Sequence, residues 1–91
     1  MLAIFKYAIP LELDKVHKVL MFKNACILYV DQQRDTPTFW AAIDTDESTG
    51  IRYFQIVGTG HKLPEGGSYI GSTSTHGGNY VWHIYEVEGD K

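Results

Sequence analysis

The sequence predicts an all-β protein, namely a small single-domain antiparallel β-sandwich or barrel-like sheet of about six to seven short strands. Apolar and polar residues alternate along most of the chain, as they do in half-buried strands, whereas helical spacing is scarce. Turn-forming residues interrupt this alternation about every eight to twelve residues. A length of 91 residues suits one core, so we expect residues 1–91 to form a single domain.

The first strand is predicted over IFKYAI, residues 4–9. In an extended segment Phe5, Tyr7 and Ile9 lie on one face, and Pro10 follows them. Proline lacks the N–H group that a strand ladder uses. We therefore expect this strand to end before Pro10.

The second segment, DKVHKVLMF at residues 14–22, fits two structures. Val16, Val19 and Leu20 match one face of a helix, for which Asp14 would be the N-cap. The segment is short, however, it has no helix stop signal, and the Lys-Asn pair after it is typical of a turn. A strand is therefore favoured for its second half.

The third strand is predicted over CILYVDQQ, residues 26–33, and is apolar on both faces. Alternation places Cys26, Leu28 and Val30 on one face and Ile27 and Tyr29 on the other. Strands that are covered on both sides have this composition. We therefore expect a central strand in which the Cys26 thiol is inert.

The next two strands are predicted over TPTFWAAID, residues 36–44, and IRYFQIVG, residues 51–58. The turn-rich segment TDESTG between them is about six residues long, which suits a hairpin loop. We therefore expect these two strands to pair with each other.

Two more strands are predicted over SYIGSTST, residues 68–75, and YVWHIYEVE, residues 80–88, with the turn HGGN between them. The stretch GTGHKLPEGG, residues 58–67, leads into the first of these strands. Its glycines can take positive φ at corners, and Pro64 stiffens the crossing. The stretch is therefore interpreted as a connection between strands.

Composition excludes several classes of protein. The chain has 8 Lys and Arg against 11 Asp and Glu, a net charge of −3, and no basic run, so we expect no duplex nucleic-acid partner. No stretch approaches the ~18 apolar residues of a membrane span, and no signal-peptide pattern is present, so we expect a cytoplasmic protein without membrane contact. A core of this size is marginally stable, which favours a homo-oligomer.

No pattern for catalysis or metal binding stands out. The histidines and the single cysteine match no zinc spacing. No serine lies in a nucleophile elbow. His83 falls inside a strand, where a half-buried, hydrogen-bonded histidine is the common arrangement. We therefore assign no catalytic residue, no metal and no cofactor.

The glycine-rich turns are the candidate ligand site. Successive N–H groups in such turns form a concave nest that favours anions, and exposed aromatic and cationic side chains assist recognition. The candidate ligand-binding residues are Trp40, Arg52, Gly58, Thr59, Gly60, His61, His76, Gly77 and Gly78. The alternative is that these glycines serve only tight turns and a bulge.

His61 and His76 also permit an enzyme. Each borders a glycine-rich turn at the end of a strand, and two facing imidazoles can act as general acid and base in phosphodiester cleavage. Thr59 or Arg52 would then stabilise the charge of the transition state. The alternative is two exposed histidines that serve only their turns.

Four segments follow one another along the chain, namely FKYAIP, TPTFWAAID, FQIVGTGHKLPEGGSYIGS and HGGNYVWHIYEV. Their order resembles that in an uncharacterised family of small phage and prophage proteins. They match that family's P-x-x-W-A-x-[V/I]-D strand, its G-T-G-H-x-[I/L]-P turn and its Y-I-G-[T/S] strand. The chain departs from the family in DKVHKVLMFKNAC, residues 14–26, where the family has a shorter strand and a Pro-Lys-Gly turn.

The resemblance implies a phage gene product that acts inside a bacterial cell. It suggests a non-enzymatic binding protein, such as a host-interaction or anti-defence factor that binds a host protein or sequesters a small anionic signalling nucleotide. A small phosphodiesterase that uses His61 and His76, and a minor structural protein of the virion, are the alternatives.

Overall fold

The computed structural model describes residues 1–89 and shows seven β-strands in them. The strands are β1 (Leu2–Ala8), β2 (Val16–Phe22), β3 (Cys26–Gln33), β4 (Thr36–Asp44), β5 (Thr49–Gly58), β6 (Ser68–Thr75) and β7 (Tyr80–Val87). They form two antiparallel sheets, in the orders β1-β4-β3 and β2-β5-β7-β6. The predicted all-β fold class is thus confirmed, as a sandwich of a three-stranded and a four-stranded sheet.

The two sheets bury an apolar core between them. Alternation along β4 turns Phe39, Ala41 and Ile43 inward, and alternation along β5 does the same for Phe54 and Ile56. The rings of Phe39 and Phe54 meet across the sandwich with their centroids 4.9 Å apart. Large rings at these positions fill the space between the sheets, which is why two short sheets suffice for a core.

Residues 14–22 contain a strand and no helix. β2 pairs with β5 from Val16 to Phe22, and Met21 on its inner face is buried. Asp14 has a left-handed φ of 57°, so it belongs to the turn before β2 and is not an N-cap, whose φ is negative. The strand favoured for the second half of this segment is confirmed.

β3 is an edge strand, which corrects the expectation that it is central. It pairs with β4 on one side only, and Cys26, Leu28 and Tyr29 are exposed on its outer face, Leu28 at 54 % and Tyr29 at 58 %. A bulge between Ile27 and Tyr29 breaks the alternation, so that Val30 turns inward beside Phe39 of β4. The second apolar face of β3 is therefore not a buried face.

β4 and β5 do not pair, so the predicted hairpin is wrong. β4 is central in the three-stranded sheet, β5 belongs to the four-stranded sheet, and residues 45–48 cross from one to the other. The crossing lets each strand bury its apolar face against the other, which a hairpin within one sheet would not do. The strands that pair across short turns are β3 with β4 and β6 with β7.

A two-residue turn joins β3 to β4. Gln33 pairs with Thr36, and the two residues between them, Arg34 and Asp35, have φ values of 51° and 61°. Positive φ at both central positions identifies a type I′ turn, in which Asn-Gly is the usual pair. The Asp35 N–H donates to the side-chain oxygen of Gln32 at 2.9 Å, which helps to hold this conformation.

β3 and β6 close one side of the sandwich. Gly71 of β6 lies so close to β3 that a Cβ on it would stand 2.6 Å from Val30 Cγ2. Thr73 donates a hydrogen bond to Asp31 Oδ1 across the same seam, at 3.4 Å. The seam therefore requires glycine at position 71, because any side chain there would overlap Val30.

Residues 59–67 cross from one end of β7 to the other. β5 ends at Gly58 opposite Trp82, whereas β6 begins at Ser68 opposite Glu86. A Cβ on Gly67 would stand 3.1 Å from Pro64 and 3.3 Å from Tyr85, so the end of this segment packs closely. The interpretation of GTGHKLPEGG as a connection is confirmed.

Candidate functional site

The two glycine-rich turns lie at the same end of the four-stranded sheet. β7 runs antiparallel to both β5 and β6, so the ends of β5 and β6 flank its beginning. Gly58 lies opposite Trp82, and Thr75 lies opposite Tyr80. We call this end of the molecule, formed by residues 58–61, residues 75–80 and Trp82, the Trp82 rim.

The first turn of the rim places His61 beside Trp82. The His61 N–H donates to the Gly58 carbonyl at 3.0 Å, and Gly60 takes a left-handed φ of 87°. A Cβ on Gly58 would stand 3.2 Å from the His61 imidazole and 3.4 Å from Trp82 Cζ3. Gly58 therefore leaves room for both rings to approach the backbone, and Gly60 adopts the left-handed φ that the turn requires.

The second turn of the rim is held by its own chain. His76, Gly77 and Gly78 have φ values of 56°, 69° and 88°. The His76 N–H donates to Asp35 Oδ1 at 3.0 Å, and the Gly78 N–H donates to the Thr75 carbonyl at 3.2 Å. The expected anion nest is thus already bonded to a carboxylate, and that negative charge opposes a second anion at the His76 N–H.

A buried hydroxyl links Trp82 to His76. The Trp82 Nε1–H donates to Thr75 Oγ1 at 2.8 Å, and the same hydroxyl is 2.8 Å from His76 Nδ1. Thr75 is only 2 % exposed, so water does not compete for these bonds. The ring of His76 therefore has a fixed position relative to the indole.

Three rings follow one another along the rim. Tyr80 stacks on Trp82 with centroids 5.9 Å apart, and the His76 ring meets Tyr80 edge-on at 5.4 Å. Tyr80 remains 54 % exposed. Together with His61, which lies with Trp82 at the Cβ position of Gly58, these residues form what we call the rim cluster, namely His61, His76, Tyr80 and Trp82. The two histidines singled out in the sequence thus lie at the same rim, and His76 is linked to Trp82 through Thr75 and Tyr80.

Thr59 turns away from the rim cluster. Its hydroxyl donates to the Val81 carbonyl at 3.2 Å and lies 3.0 Å from His83 Nε2. Because the carbonyl only accepts, Nε2–H of His83 donates to Thr59, and Nδ1 accepts from the Ser72 hydroxyl at 2.7 Å. His83 is a half-buried, hydrogen-bonded strand residue, as the sequence predicts, and Thr59 is not placed to assist His61 or His76.

Arg52 does not join the rim, and this corrects its expected place beside the turn at Gly58. It lies six residues back along β5, or about 20 Å at the rise of a strand. Its guanidinium makes two bonds of 2.7 Å to Glu86 and one of 2.7 Å to the Ala25 carbonyl. The Glu86 carboxylate raises the pKa of Arg52. The side chain joins strands and has a structural role.

Trp40 lies on the other sheet, away from the glycine-rich turns. It faces outward from β4, opposite Lys6 of β1 and Tyr29 of β3. The Trp40 and Tyr29 rings are 5.7 Å apart and inclined at 45°. The nine candidate residues therefore divide among three places: the two turns at the Trp82 rim, Arg52 at the far end of β5, and Trp40 on the outer face of β4.

Sequence reasoning missed the residues that organise the rim. Tyr80 and Trp82 lie on one face of β7, a pattern that the alternation of that strand already contains. Asp35 and Thr75 are different, because the first lies 41 residues from its partner His76. A contact over such a separation has no local signal in the sequence.

Residues 1–89 show no group of three or more His, Cys, Asp or Glu side chains arranged to hold a metal ion. Within the same residues no helix is long and apolar enough to span a membrane.

Searches of curated proteins and of solved structures found no match to the chain. One family model matches, that of a domain of unknown function designated DUF7352, and it covers residues 1–91. The chain therefore belongs to the DUF7352 family.

Proposed function

We propose that this chain is a non-enzymatic binding protein that recognises a protein partner through the rim cluster. The main observation is that the His76 N–H is already hydrogen-bonded to Asp35, whereas the Tyr80 ring is 54 % exposed beside Trp82. The His76 N–H is thus used within the protein, and the surface that a partner can contact is aromatic. Exposed, rigid aromatic side chains are characteristic centres of protein interfaces.

The glycine-rich turns support a protein partner better than a nucleotide at this rim. A phosphate at the second turn would meet the Asp35 carboxylate, which donates no hydrogen bond and carries the same charge. A protein surface can instead bury the Tyr80 ring and the imidazole of His61. A Cβ on Gly77 or Gly78 would meet no atom within 4 Å, so the turn before Tyr80 borders open space.

The family resemblance extends the proposal to the biological setting. The turn Gly58–Pro64 and the strand with Trp40 resemble those of small phage and prophage proteins. On this ground we propose a phage-encoded factor that acts in the cytoplasm of the bacterial host, as a homo-oligomer, on a host protein of interaction or defence. The net charge of −3 supports a partner other than duplex nucleic acid.

The test is an affinity pull-down from host lysate with three forms of the tagged protein. Tyr80→Ala removes the exposed ring of the rim, and Leu20→Ala removes a comparably exposed apolar side chain of β2, outside the rim. We expect mass spectrometry to identify one host protein that wild type and Leu20→Ala retain and Tyr80→Ala loses. Retention by Tyr80→Ala, or recovery of a nucleotide in place of a protein, contradicts the proposal.

A second candidate function, phosphodiester cleavage, is favoured by one observation, namely that His61 and His76 lie at the same rim. An acid and a base that share a substrate must lie within hydrogen-bond reach of it. Turnover of a cyclic or linear dinucleotide that His61→Ala and His76→Ala each abolish, without loss of folding, would select this function over binding alone.

A further inference from the structure

A second concave surface lies on the outer face of the three-stranded sheet, on the other side of the β3–β4 turn from the rim. It has a volume of about 390 Å³ and is lined by Lys6, Ala8, Gln33, Arg34, Thr36 and Thr38. Pockets for small ligands range from about 300 to 1,000 Å³. None of the residues that line it was singled out from the sequence.

The concavity has two cations and no carboxylate among its lining residues. Lys6 Nζ donates to the neutral Gln33 Oε1 at 2.8 Å, and over residues 1–89 neither Lys6 nor Arg34 has a salt bridge. Two carboxylates border the concavity: Asp35 accepts from the His76 N–H, and Asp31, opposite Thr38, accepts from the Tyr29 hydroxyl and the Gln32 N–H. Among residues 1–89 neither carboxylate forms a salt bridge with Lys6 or Arg34, so two cations without an ion pair at one concavity favour an anion.

An aromatic pair adjoins Lys6. Lys6 of β1 lies directly opposite Trp40 of β4, on the outer face, and Trp40 lies opposite Tyr29 of β3. The two rings are 5.7 Å apart, and Tyr29 is 58 % exposed. A planar base can stack on such rings whatever its identity, because every base has a π face.

We propose that this outer face binds a nucleotide. Its phosphate lies between Lys6 and Arg34, where a guanidinium and an ammonium give charge-assisted hydrogen bonds. Its base stacks against the Trp40–Tyr29 pair. The Thr36 hydroxyl and the Gln33 amide, both at the concavity, are the uncharged groups that a sugar or a phosphate would meet. The proposal keeps Trp40 and an anionic nucleotide together, as the sequence analysis expects, but takes Lys6 and Arg34 as the cations in place of Arg52.

The site is separate from the rim cluster. The type I′ turn divides them, since Arg34 faces the concavity and Asp35 faces His76. Loss of the protein partner by Tyr80→Ala leaves the nucleotide site intact, and substitution of Lys6 leaves the rim intact. The two proposals therefore fail independently of each other.

The test uses tryptophan fluorescence and calorimetry. The chain has two tryptophans, so Trp82→Phe leaves Trp40 as the only reporter, and calorimetry on wild type gives the affinity without any change at the rim. AMP, ATP, inorganic phosphate and a short oligothymidylate are the probes. We expect AMP or ATP to quench Trp40 in a saturable way and phosphate alone to bind more weakly without quenching.

The matched variants are Lys6→Met and Arg34→Met, with Lys18→Met on β2 as the control of equal charge change. Loss of one charge-assisted hydrogen bond corresponds to a weakening of about tenfold or more. We expect that weakening in the first two variants and none in the control. Tighter binding of the oligonucleotide than of AMP would identify single-stranded nucleic acid as the source of the same base and phosphate groups.

Three outcomes overturn the proposal. The first is the absence of both heat and quenching with every base-containing probe. The second is an equal affinity in wild type, Lys6→Met and Arg34→Met. The third is quenching of Trp40 by inorganic phosphate as strong as that by AMP, which would leave no role for the aromatic pair.

Discussion

The backbone N–H of His76 donates to Asp35 Oδ1 at 3.0 Å, and both residues have left-handed φ, 56° and 61°. Two non-glycine residues in this uncommon conformation, one from each sheet, thus hold each other in place. The bond joins the β3–β4 turn to the β6–β7 turn. It also separates the rim cluster from the cationic concavity, because it fixes the direction of the turn that carries Arg34.

The first prediction concerns this bond. Asp35→Asn keeps an acceptor and a residue type that tolerates left-handed φ, so its free energy of unfolding should stay within about 0.5 kcal/mol of wild type. Asp35→Ala loses the acceptor and adds strain, and should be less stable by about 1–2 kcal/mol. Asp35→Gly should have a stability between those of the Asn and Ala variants, because glycine also loses the acceptor but adopts a left-handed φ without strain. Urea denaturation measures all three, and equal stability of the Ala and Gly variants would contradict the argument.

The second prediction concerns the seam between β3 and β6. Gly71→Ala places a methyl group 2.6 Å from Val30 Cγ2 and should lower the free energy of unfolding by about 1–3 kcal/mol. Val30→Ala should recover part of that loss in the double variant, since it removes the overlapping atoms.

The control for the seam is Gly77→Ala. No atom lies within 4 Å of its Cβ position, but its φ is +69°, so its cost is backbone strain alone. Val30→Ala should leave that cost unchanged. An equal effect of Val30→Ala on both glycine variants, measured by denaturation, would show that the seam is not the cause.

The third prediction concerns Thr75. Thr75→Val keeps the shape of the side chain but leaves Trp82 Nε1–H and His76 Nδ1 without their shared hydroxyl, so we expect a loss of about 1–3 kcal/mol. Thr75→Ser keeps the hydroxyl and should retain the indole N–H chemical shift of Trp82, which the valine variant should change. The NMR signal of that N–H is the readout, and no change in the valine variant would dismiss the link.

The fourth prediction concerns Asp31 and pH. The Gln32 N–H, which donates to Asp31 at 2.8 Å, lowers the pKa of Asp31, and the hydroxyls of Tyr29 and Thr73 lower this pKa further. A carboxyl whose pKa is lower in the folded state than in the unfolded state stabilises the fold above the unfolded value, about 3.9. That contribution is lost as the pH falls through the folded pKa.

Wild type should therefore lose stability more steeply than Asp31→Asn as the pH falls below about 4. Tyr29→Phe should move the Asp31 titration, followed by carboxyl NMR shifts, to higher pH. A titration of Asp31 at or above about 3.9 in wild type would be inconsistent with these bonds.

Much of the strand content follows from local pattern. The alternation of TPTFWAAID and of YVWHIYEV predicts β4 and β7 to within a residue, and the glycines of HGGN predict the turn between β6 and β7. The segment at residues 14–22 is the ambiguous case, because its nine residues of mixed spacing fit a helix and a strand alike. Pairing with β5 decided in favour of the strand.

The candidate site was only partly predictable. The glycine-rich turns flank β7 at one end, and the sequence already singled out their two histidines. Nearness in sequence to Gly58 predicts Arg52 at that site, but an extended strand places it about 20 Å away, where it binds Glu86. Lys6 lies opposite Trp40 and shares a concavity with Arg34 only because β1 and β3 both pair with β4.

By itself the sequence determined the all-β class, the approximate positions of the strands and the residues that form several of the turns. It could do so because period-two alternation and the tolerance of glycine for positive φ are properties of short segments. The tertiary structure decided which strands pair: β4 and β5 lie in different sheets, and β3 is an edge strand on which Cys26 is exposed. It also decided the contacts between the sheets, where Gly71 lies against Val30 and Asp35 accepts from the His76 N–H. Alternation specifies the two faces of a strand but not its neighbours, because any strand with a matching apolar face can supply the hydrogen bonds of its edge. The choice among neighbours depends on the packing of the whole core.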